Sequence, residues 1–411
     1  MKRLIAVMLA LALLLTACAQ GNADDLMQNV PAKAVDVLPD MDSGAAAAAD
    51  FGVRLFQASV EEGKNTLISP LSVLYALAMT ANGADGNTLA QMEQVLGMET
   101  EELNSFMRAY LDLLPESKVY KLSLANSIWF KDDPRFQVEQ SFLQTNADYY
   151  GADAYKAAFD EATRNDINNW VKEHTDGMIP EILDEIPEDA VMYLVNALAF
   201  DAEWQEIYEA HQVWEGEFCL EDGTPRTVDL MHSEENRYLE DELATGFIKY
   251  YKDKQYAFAA LLPNEGVTVQ EYVDSLTGEH LKKLLSNPEK VTVFATMPKF
   301  ETEYSVEMSE ALMEMGMTDA FDYRISDFSR LGTYDADGLN ICINRVLHKT
   351  FISVSEKGTR AGAATAVEMV AEGALLIEDY KTVTLDRPFV YMLIDCQTNL
   401  PFFIGTMMDV G

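Results

Sequence analysis

The stretch that decides the fold of this chain is SEKGTRAGAATAVE, residues 355–368. It follows the strand-like segment ICINRVLHKTFISV and continues as MVAEGALLIEDYKTVTLD. Side chains alternate between the two faces of a strand, and over residues 359–372 the charged residues Arg360, Glu368 and Glu372 all fall on the same face. The uncharged face would carry Thr359, Ala361, Ala363, Thr365, Val367, Met369 and Ala371. The pattern predicts a surface loop that can become a strand; taken alone, it also fits an Ala-rich linker.

The amino terminus has the pattern of an export signal. Lys2 and Arg3 precede the apolar run 4–15, which is too short to span a bilayer. The sequence LTAC that ends at Cys18 resembles the lipobox of bacterial lipoproteins, in which the Cys is lipidated. We therefore predict a lipoprotein-type signal peptide at 1–17, and an ordinary cleaved signal is the alternative.

The rest of the chain divides into a tether and one domain. Residues 18–44 are polar, lack periodicity and contain two prolines, so they predict a lipid-anchored tether. No Pro/Gly/Ser-rich break or repeat divides residues 45–411, which predict a single domain. The protein is expected to be exported and to lie on the cell surface or anchored to a membrane, with an extracellular location as the alternative.

Composition excludes several functions. The chain has 411 residues, of which 48% are hydrophobic, so a large core is expected. The net charge of −38 disfavours nucleic-acid binding, which needs clustered Lys and Arg. Cys219, Cys342 and Cys396 are widely spaced and have no histidine at metal-ligand spacing. Neither a disulfide framework nor a zinc site is indicated, and no metal or cofactor is expected.

The periodicities predict a mixed α+β fold. Ser69 and Pro70 provide a capping hydroxyl and a first-turn proline for a buried helix that ends at Asn82 and Gly83. The apolar run 191–200 predicts a strand buried on both faces. Further helices are predicted near 88–96, 101–114, 166–174 and 267–285, and further strands at 247–262, 291–304, 340–355 and 389–407.

Catalytic signatures are missing from the sequence. There is no GxSxG, HExxH, phosphate-binding loop or dinucleotide fingerprint, and the five histidines are scattered. A Ser/His/Asp site could still assemble in space, because triads are defined by geometry. We nevertheless expect a protein that is not an enzyme.

The sequence EKGT at 356–359, followed by Ala-rich sequence, resembles the hinge of inhibitory serpins. Other stretches resemble the same family in the expected order, and the similarity spans about residues 50–411. They are NTLISPLS at 65–72, INNWV at 167–171, NALAF at 196–200 leading to Trp204, MPKF at 297–300, MGMTDAF at 315–321, VLHK at 346–349, RPF at 387–389 and PFFIG at 401–405.

The resemblance implies three β-sheets, eight or nine helices and an exposed reactive loop at about 356–386. A serine protease would attack this loop as a substrate, and the severed loop would insert into the largest sheet and trap the acyl-enzyme. The implied loop hinge comprises Glu356, Gly358, Thr359, Ala361, Ala363, Ala364 and Thr365. The implied sheet-opening cluster comprises Ser69, Ser72, Asn196 and His348, together with Trp204 near the point where the loop inserts.

The loop length usual in the family places the scissile bond between Glu372 and Gly373, although the register could slide within 370–376. No Arg or Lys occurs between Arg360 and Lys381, which argues against trypsin-like targets. Elastase-like, chymotrypsin-like and glutamyl-specific proteases remain.

The resemblance leaves an alternative function open. A non-inhibitory serpin that acts as a binding or carrier module would be expected to carry bulky, charged or Pro residues on the inward face of the hinge, and none is present. The expected partners are a target protease and, through the lipid alone, a membrane. The protein is expected to be monomeric.

Overall fold

The computed structural model describes residues 23–114, 119–187, 190–335, 338–359 and 379–411. Within these ranges the chain forms nine α-helices and nineteen β-strands. The helices are α1 Met41–Ser59, α2 Pro70–Ala81, α3 Gly86–Leu96, α4 Thr100–Leu113, α5 Gln140–Tyr150, α6 Glu161–His174, α7 Val269–Ser275, α8 Gly278–Ser286 and α9 Ser309–Glu314.

The strands alternate irregularly with the helices, as the α+β prediction requires. They are β1 Asp24–Asp25, β2 Thr66–Ile68, β3 Tyr120–Lys131, β4 Phe136–Val138, β5 Asp153–Ala157, β6 Met192–Glu203, β7 Val213–Cys219, β8 Pro225–Glu235, β9 Tyr238–Glu240, β10 Ala244–Tyr250, β11 Tyr256–Pro263, β12 Thr292–Pro298, β13 Phe300–Glu307, β14 Gly332–Tyr334, β15 Arg345–Ser355, β16 Gly358–Thr359, β17 Tyr380–Thr384, β18 Phe389–Asp395 and β19 Leu400–Met407.

The largest sheet has seven strands in the order β1-β5-β3-β6-β16-β15-β13. Its central strand, β6, lies where the apolar run predicts it, and its residues 192–200 are all buried. Along 193–198, β6 pairs directly and in parallel with residues 345–350 of β15. The two-residue strand β16 lies between the same two strands at one end of the sheet. We call this seven-stranded sheet the large sheet.

Two further sheets complete the main architecture. A six-stranded sheet has the order β2-β19-β18-β11-β10-β9, and a four-stranded sheet has the order β17-β12-β8-β7. A small sheet pairs β14 with β4. The predicted strand at 291–304 is divided between two sheets, because β12 ends at Pro298 in the four-stranded sheet and β13 begins at Phe300 in the large sheet.

The helices follow their capping residues. The side chain of Ser69 accepts a hydrogen bond from the Ser72 N–H, and every residue of α2 is buried. The helix predicted at 267–285 is interrupted, because Thr277 caps a new helix through the His280 N–H. A Cβ on Gly278 would lie 2.4 Å from the Asp50 backbone nitrogen, so glycine allows α8 to approach α1 closely. None of the helices in the described ranges is long and apolar enough to span a bilayer.

Part of the segment predicted as a tether lies against the fold. The edge strand β1 pairs with β5, the Leu26 N–H donates to the Ala154 carbonyl, and Val30 is buried. Helix α1 begins at Met41, four residues before the predicted start of the domain. The backbone therefore meets the folded body well before residue 45, where composition predicts the domain to begin. Residues 1–22, with the predicted signal peptide and Cys18, lie outside the described residues.

Candidate functional site

The candidate site is the end of the large sheet at which β16 lies between β6 and β15. Thr359 pairs with Ala202 of β6 and with Val354 of β15, and both pairings are antiparallel. Gly358 is paired on both sides in the same way. Gly358 and Thr359 therefore lie in a gap between β6 and β15 at one end of the sheet. Farther along, β6 and β15 pair directly with each other.

Thr359 is held in this gap by its side chain as well as its backbone. Its side chain is buried, and its hydroxyl lies 2.5 Å from the Tyr251 hydroxyl. The small, uncharged side chain suits the position, because a charged group without a partner would lose its hydration there. Burial raises the pKa of Tyr251 far above its usual range, so this partner stays a neutral phenol.

Gly358 is needed at its position for two steric reasons. Its φ of +153° lies in a region that residues with a side chain rarely adopt. A Cβ on this residue would lie 2.0 Å from the Ala202 carbonyl oxygen. Glycine thus lets the turn after β15 approach the backbone of β6 closely enough for β16 to form.

Trp204 covers this end of the gap. Its backbone N–H donates to the Lys357 carbonyl and its indole N–H to the Ser355 carbonyl, each at 2.8 Å. Its ring stacks on Tyr251, with centroids 4.4 Å apart and planes inclined by 12°. One buried aromatic residue therefore binds the turn between β15 and β16 at two points and contacts the partner of Thr359.

Glu356 is anchored from outside the turn. The Lys299 ammonium donates to its carboxylate at 2.8 Å, and the Tyr208 N–H donates to its carbonyl at 2.9 Å. Burial acts to raise the pKa of Glu356, but the bonds from Lys299 and the backbone lower it overall. The hydrogen bond to Glu356 in turn raises the pKa of Lys299. Both groups therefore carry their charges at neutral pH.

A buried ion pair lies beside the same aromatic rings. The Lys249 ammonium of β10 donates to the Glu235 carboxylate of β8 at 2.8 Å, and the two side chains are 2% and 13% exposed. The ammonium lies 5.5 Å from the Trp204 ring centroid and 4.4 Å from that of Tyr208. The pair connects the four-stranded and six-stranded sheets to the residues that hold the turn.

A second polar group lies where β6 and β15 pair directly. His348 accepts from the Ser69 N–H through Nε2 at 2.9 Å, so its Nδ1–H donates to the Asn196 Oδ1 at 2.6 Å. Asn196 in turn donates to the Ser72 carbonyl and, at 2.8 Å, to the Asn126 Oδ1. Burial lowers the pKa of His348 to about 3. Its neutral form is required, since protonated Nε2 would face another N–H.

The structure separates the predicted sheet-opening residues into two groups. Ser69, Ser72, Asn196 and His348 form one connected network, whereas Trp204 lies at the end of the gap with the hinge residues Glu356, Gly358 and Thr359. The predicted hinge residues Ala361, Ala363, Ala364 and Thr365 and the predicted scissile bond Glu372–Gly373 lie outside the described residues.

Sequence reasoning missed several residues of the site. Asn126 extends the polar network, and its position opposite Asn196 on β3 follows from the strand register alone. Tyr208, Tyr251, Lys249 and Glu235 surround Trp204 but belong to segments without a distinctive motif. A lysine within a strand usually indicates a solvent-facing position, so the burial of Lys249 had no signal in the sequence.

Comparisons with known proteins agree with this geometry. The family model described as "Serpin (serine protease inhibitor)" matches residues 46–410. The chain is similar to the thermophilic serpin tengpin in its native state, with 48% identity, a TM-score of 0.91, and coverage of 94% of this chain and 100% of tengpin. For tengpin in its latent state the identity is 48%, the TM-score 0.79, and the coverage 92% and 100%. The conformation is thus closer to the native one.

A curated relative extends the similarity to animals. The leukocyte elastase inhibitor of Bos taurus is 30% identical over 385 residues, which cover 89% of this chain and 99% of that protein. The match of the family model over most of the chain, the tengpin-like fold and the hinge geometry at Gly358 and Thr359 lead to one conclusion. This chain belongs to the serpin family, whose members are in general protease inhibitors rather than enzymes.

Proposed function

We propose that this protein inhibits serine endopeptidases by a suicide-substrate mechanism in which the cleaved reactive loop inserts into the large sheet. One observation carries the proposal: Gly358 and Thr359 are already paired with both β6 and β15. Continuing the chain in the same direction would add one antiparallel strand between them. The protease bound to the severed loop would then be carried along the sheet and distorted before deacylation.

The register of β16 defines how such a strand would align. Each step forward from Thr359 is matched by one step back along β6 and one step back along β15. Thr365 lies six residues after Thr359 in the sequence. It would therefore come opposite the residues six positions before Ala202 and Val354, which are Asn196 on β6 and His348 on β15. The two registers agree, because Asn196 and His348 are themselves direct partners. The Thr365 hydroxyl would thus enter the polar network in place of the direct contact between Asn196 and His348.

The same register accounts for the charged residues of the loop. Arg360 would come opposite Asp201 on β6, and Glu368 would come opposite Arg345 on β15. Both pairs have opposite charges, and cross-strand pairs of this kind stabilise a sheet by about 0.2–1 kcal/mol each. Arg360, which is unusual for this position in the family, therefore has a role in the inserted strand.

Insertion would also release free energy from the backbone. Thr359 to Glu372 would span about 45 Å of strand and form about ten net hydrogen bonds, each worth roughly 1 kcal/mol. The six residues of β6 that now pair with β15 would first have to separate from it. The active form is then metastable and protected by a kinetic barrier, which the Trp204 contacts and the His348 network raise.

The proposed targets are proteases that do not require a basic residue before the cleaved bond. No Arg or Lys occurs between Arg360 and Lys381, whereas Val370, Ala371, Glu372, Leu375 and Leu376 suit elastase-like, glutamyl-specific or chymotrypsin-like pockets. The relative in Bos taurus is named leukocyte elastase inhibitor. We therefore propose an elastase-like, glutamyl-specific or chymotrypsin-like protease as the target, with cleavage between Glu372 and Gly373.

The experiment is incubation with a panel of such proteases and a trypsin-like control. A covalent complex that survives denaturing electrophoresis is expected, together with a released peptide whose mass identifies the cleaved bond. Cleavage without a complex, or no cleavage by any protease, would favour a non-inhibitory binding or carrier protein. Catalytic turnover of an ester or peptide by the purified chain would overturn the proposal altogether.

We also propose that the protein is exported and anchored through a lipid on Cys18. The support is the signal-like sequence that precedes this cysteine. The Cys18→Ala variant is expected to leave the membrane fraction, because acyl chains provide the attachment. If the variant still sediments with membranes as the wild type does, the lipoprotein assignment is wrong.

A further inference from the structure

A row of paired residues crosses the large sheet at the end farthest from the gap. Met192 of β6 pairs with Phe130 of β3, and Phe130 pairs with Lys156 of β5. Lys156 in turn pairs with Asp24 of β1. Met192 lies ten residues before Ala202, which borders the gap, so the row is about 33 Å from the gap along β6. We call the end of the large sheet at this row the basal end.

Two segments of the chain lie alongside each other just beyond the basal end. The Asn344 N–H donates to the Met192 carbonyl at 3.3 Å, so the segment that leads into β15 meets β6 at this end. Four residues earlier on the same segment, the Asn340 N–H donates to the Tyr323 carbonyl at 2.8 Å. The segment that contains Tyr323 is therefore held at the basal end.

These two segments expose three large apolar side chains. Tyr323 is 49% exposed, Ile325 56% and Leu339 42%. Within the part of the chain that the structure describes, ten large apolar side chains are exposed, and three of the ten lie between residues 323 and 339. Exposed apolar side chains that cluster in this way are typical of surfaces that bind a partner or a membrane. We call Tyr323, Ile325 and Leu339 the apolar patch.

The side chains in and around the apolar patch suit the surface of a bilayer. Tyrosine is enriched at the level of the lipid headgroups, and isoleucine and leucine favour the acyl region. The Arg324 guanidinium lies 5.9 Å from the Tyr323 ring centroid, and its Nε donates to the Asp322 carboxylate at 2.8 Å. An arginine beside apolar side chains can extend its charge to the headgroups. Because Asp322 offsets that charge, the attraction to lipid is mainly apolar.

The place where the chain enters the fold favours a bilayer as the occupant of the apolar patch. Asp24 begins β1 at the basal end, and the proposed lipid site Cys18 precedes it by six residues. Six residues extend over at most about 20 Å, so a lipid on Cys18 keeps the basal end near the bilayer. The net charge of −38 disfavours a second copy of the chain as the occupant. A weak contact is sufficient, because the anchor gives the patch a high effective concentration at the membrane.

We propose that the apolar patch contacts the surface of the bilayer in which Cys18 is anchored, so that the basal end of the large sheet faces the membrane. The inference rests on the anchoring proposed above and extends it to the orientation of the folded body. The three side chains enter the boundary between headgroups and acyl chains. The gap that contains β16, at the other end of the large sheet, faces away from the membrane, where a protease in solution can reach it.

The test uses the lipidated full-length chain in phosphatidylcholine vesicles with and without brominated acyl chains, which quench tryptophan fluorescence on contact. Tyr323→Trp adds a tryptophan within the patch. Tyr380→Trp is the matched control, because Tyr380 is 57% exposed but begins β17 of the four-stranded sheet. Brominated lipid should remove about half of the fluorescence that Tyr323→Trp adds to the wild type and none of that added by Tyr380→Trp. With Ile325→Ser and Leu339→Ser also present, the quenching of Tyr323→Trp should fall about threefold.

The outcomes separate this inference from the anchoring. If the chain carries a lipid and Tyr323→Trp is quenched no more than Tyr380→Trp, the proposed orientation is wrong and the anchoring stands. If Ile325→Ser and Leu339→Ser leave the quenching unchanged, the patch does not make the contact and the proposal is overturned. If no variant is quenched and the two serine substitutions instead abolish self-association in sedimentation, the patch binds a second copy and the proposal is wrong. If mass spectrometry finds no lipid on Cys18, the anchoring and the orientation both fail, whereas the proposed inhibition is unaffected.

Discussion

Replacing Thr359 by arginine tests whether the gap between β6 and β15 is the route of loop insertion. Thr359 is buried, pairs with both strands and bonds to Tyr251, whose ring stacks on Trp204. An arginine at this position has no carboxylate partner among these neighbours. Thr359→Arg therefore places a long cationic side chain at the first position that must enter the sheet.

The magnitude follows from the contacts that the substitution removes and the charge that it adds. Loss of the hydroxyl leaves the buried Tyr251 hydroxyl without its partner, at a cost of about 1 kcal/mol. Burial of an unpaired charge adds several kcal/mol, part of which is avoided if the side chain reaches solvent. If about 3 kcal/mol of this cost is added to the activation free energy of insertion, the insertion rate falls on the order of a hundredfold. Deacylation would then precede insertion in most encounters.

The assay compares wild type, Thr359→Arg and the isosteric control Thr359→Val at equal protease concentration. Thr359→Arg is expected to be cleaved at the wild-type bond but to release active protease, with little complex stable to denaturant. Thr359→Val keeps the volume and loses only the hydroxyl, so its stoichiometry of inhibition should change at most a few-fold. Formation of the complex by Thr359→Arg as fast and as completely as by wild type would refute insertion through this hinge.

Three further predictions follow from the site. The pKa of His348 is about 3 in the folded protein and about 6.5 in the unfolded chain. The unfolding free energy therefore decreases by about 1.4 kcal/mol for each unit that the pH falls from 6.5 towards 3. The unfolding free energy of His348→Gln should show a correspondingly shallower slope between pH 6 and 4. Lys249→Met leaves the largely buried Glu235 carboxylate unpaired, and urea unfolding should show a loss of about 3 kcal/mol. Arg345→Glu and Glu368→Arg should each lower the thermal stability of the cleaved, inserted form, and the double variant should recover it; strictly additive effects would contradict the proposed register.

Local sequence signals predicted the elements that depend on local chemistry. Ser69 and Pro70 defined the start of α2 because a capping hydroxyl and a first-turn proline act within one helical turn. The unbroken apolar run before Phe200 predicted a central strand because both of its faces are covered. In both cases the neighbours in sequence supply the interactions that define the structure.

The sequence did not predict features that depend on distant neighbours. The change of sheet between Pro298 and Phe300 leaves an almost continuous strand pattern, so periodicity alone cannot reveal it. The burial of Lys249 depends on Glu235 in another sheet and on two aromatic rings. Such features arise from tertiary contacts, for which a single sequence contains no direct signal.

The docking of residues 24–30 was also missed, for a different reason. The segment belongs to a polar stretch without periodicity, so the composition of residues 18–44 indicated a tether. Two backbone pairings with β5, the burial of Val30 and the packing of Leu26 and Met27 against the core hold it at the sheet edge. Pairing at an exposed sheet edge depends on backbone groups, which every sequence provides.

The direct pairing of β6 with β15 has a consequence for how the chain folds. Asn196 and His348 are 152 residues apart in sequence, whereas Val354 and Thr359, which are also paired, are only five residues apart. Hairpins close in microseconds, while contacts of long sequence separation form far more slowly. During refolding, β15 can therefore meet the segment that follows it before β6 arrives. We expect a fraction of the refolded molecules to have this segment already inserted, and therefore to be inactive.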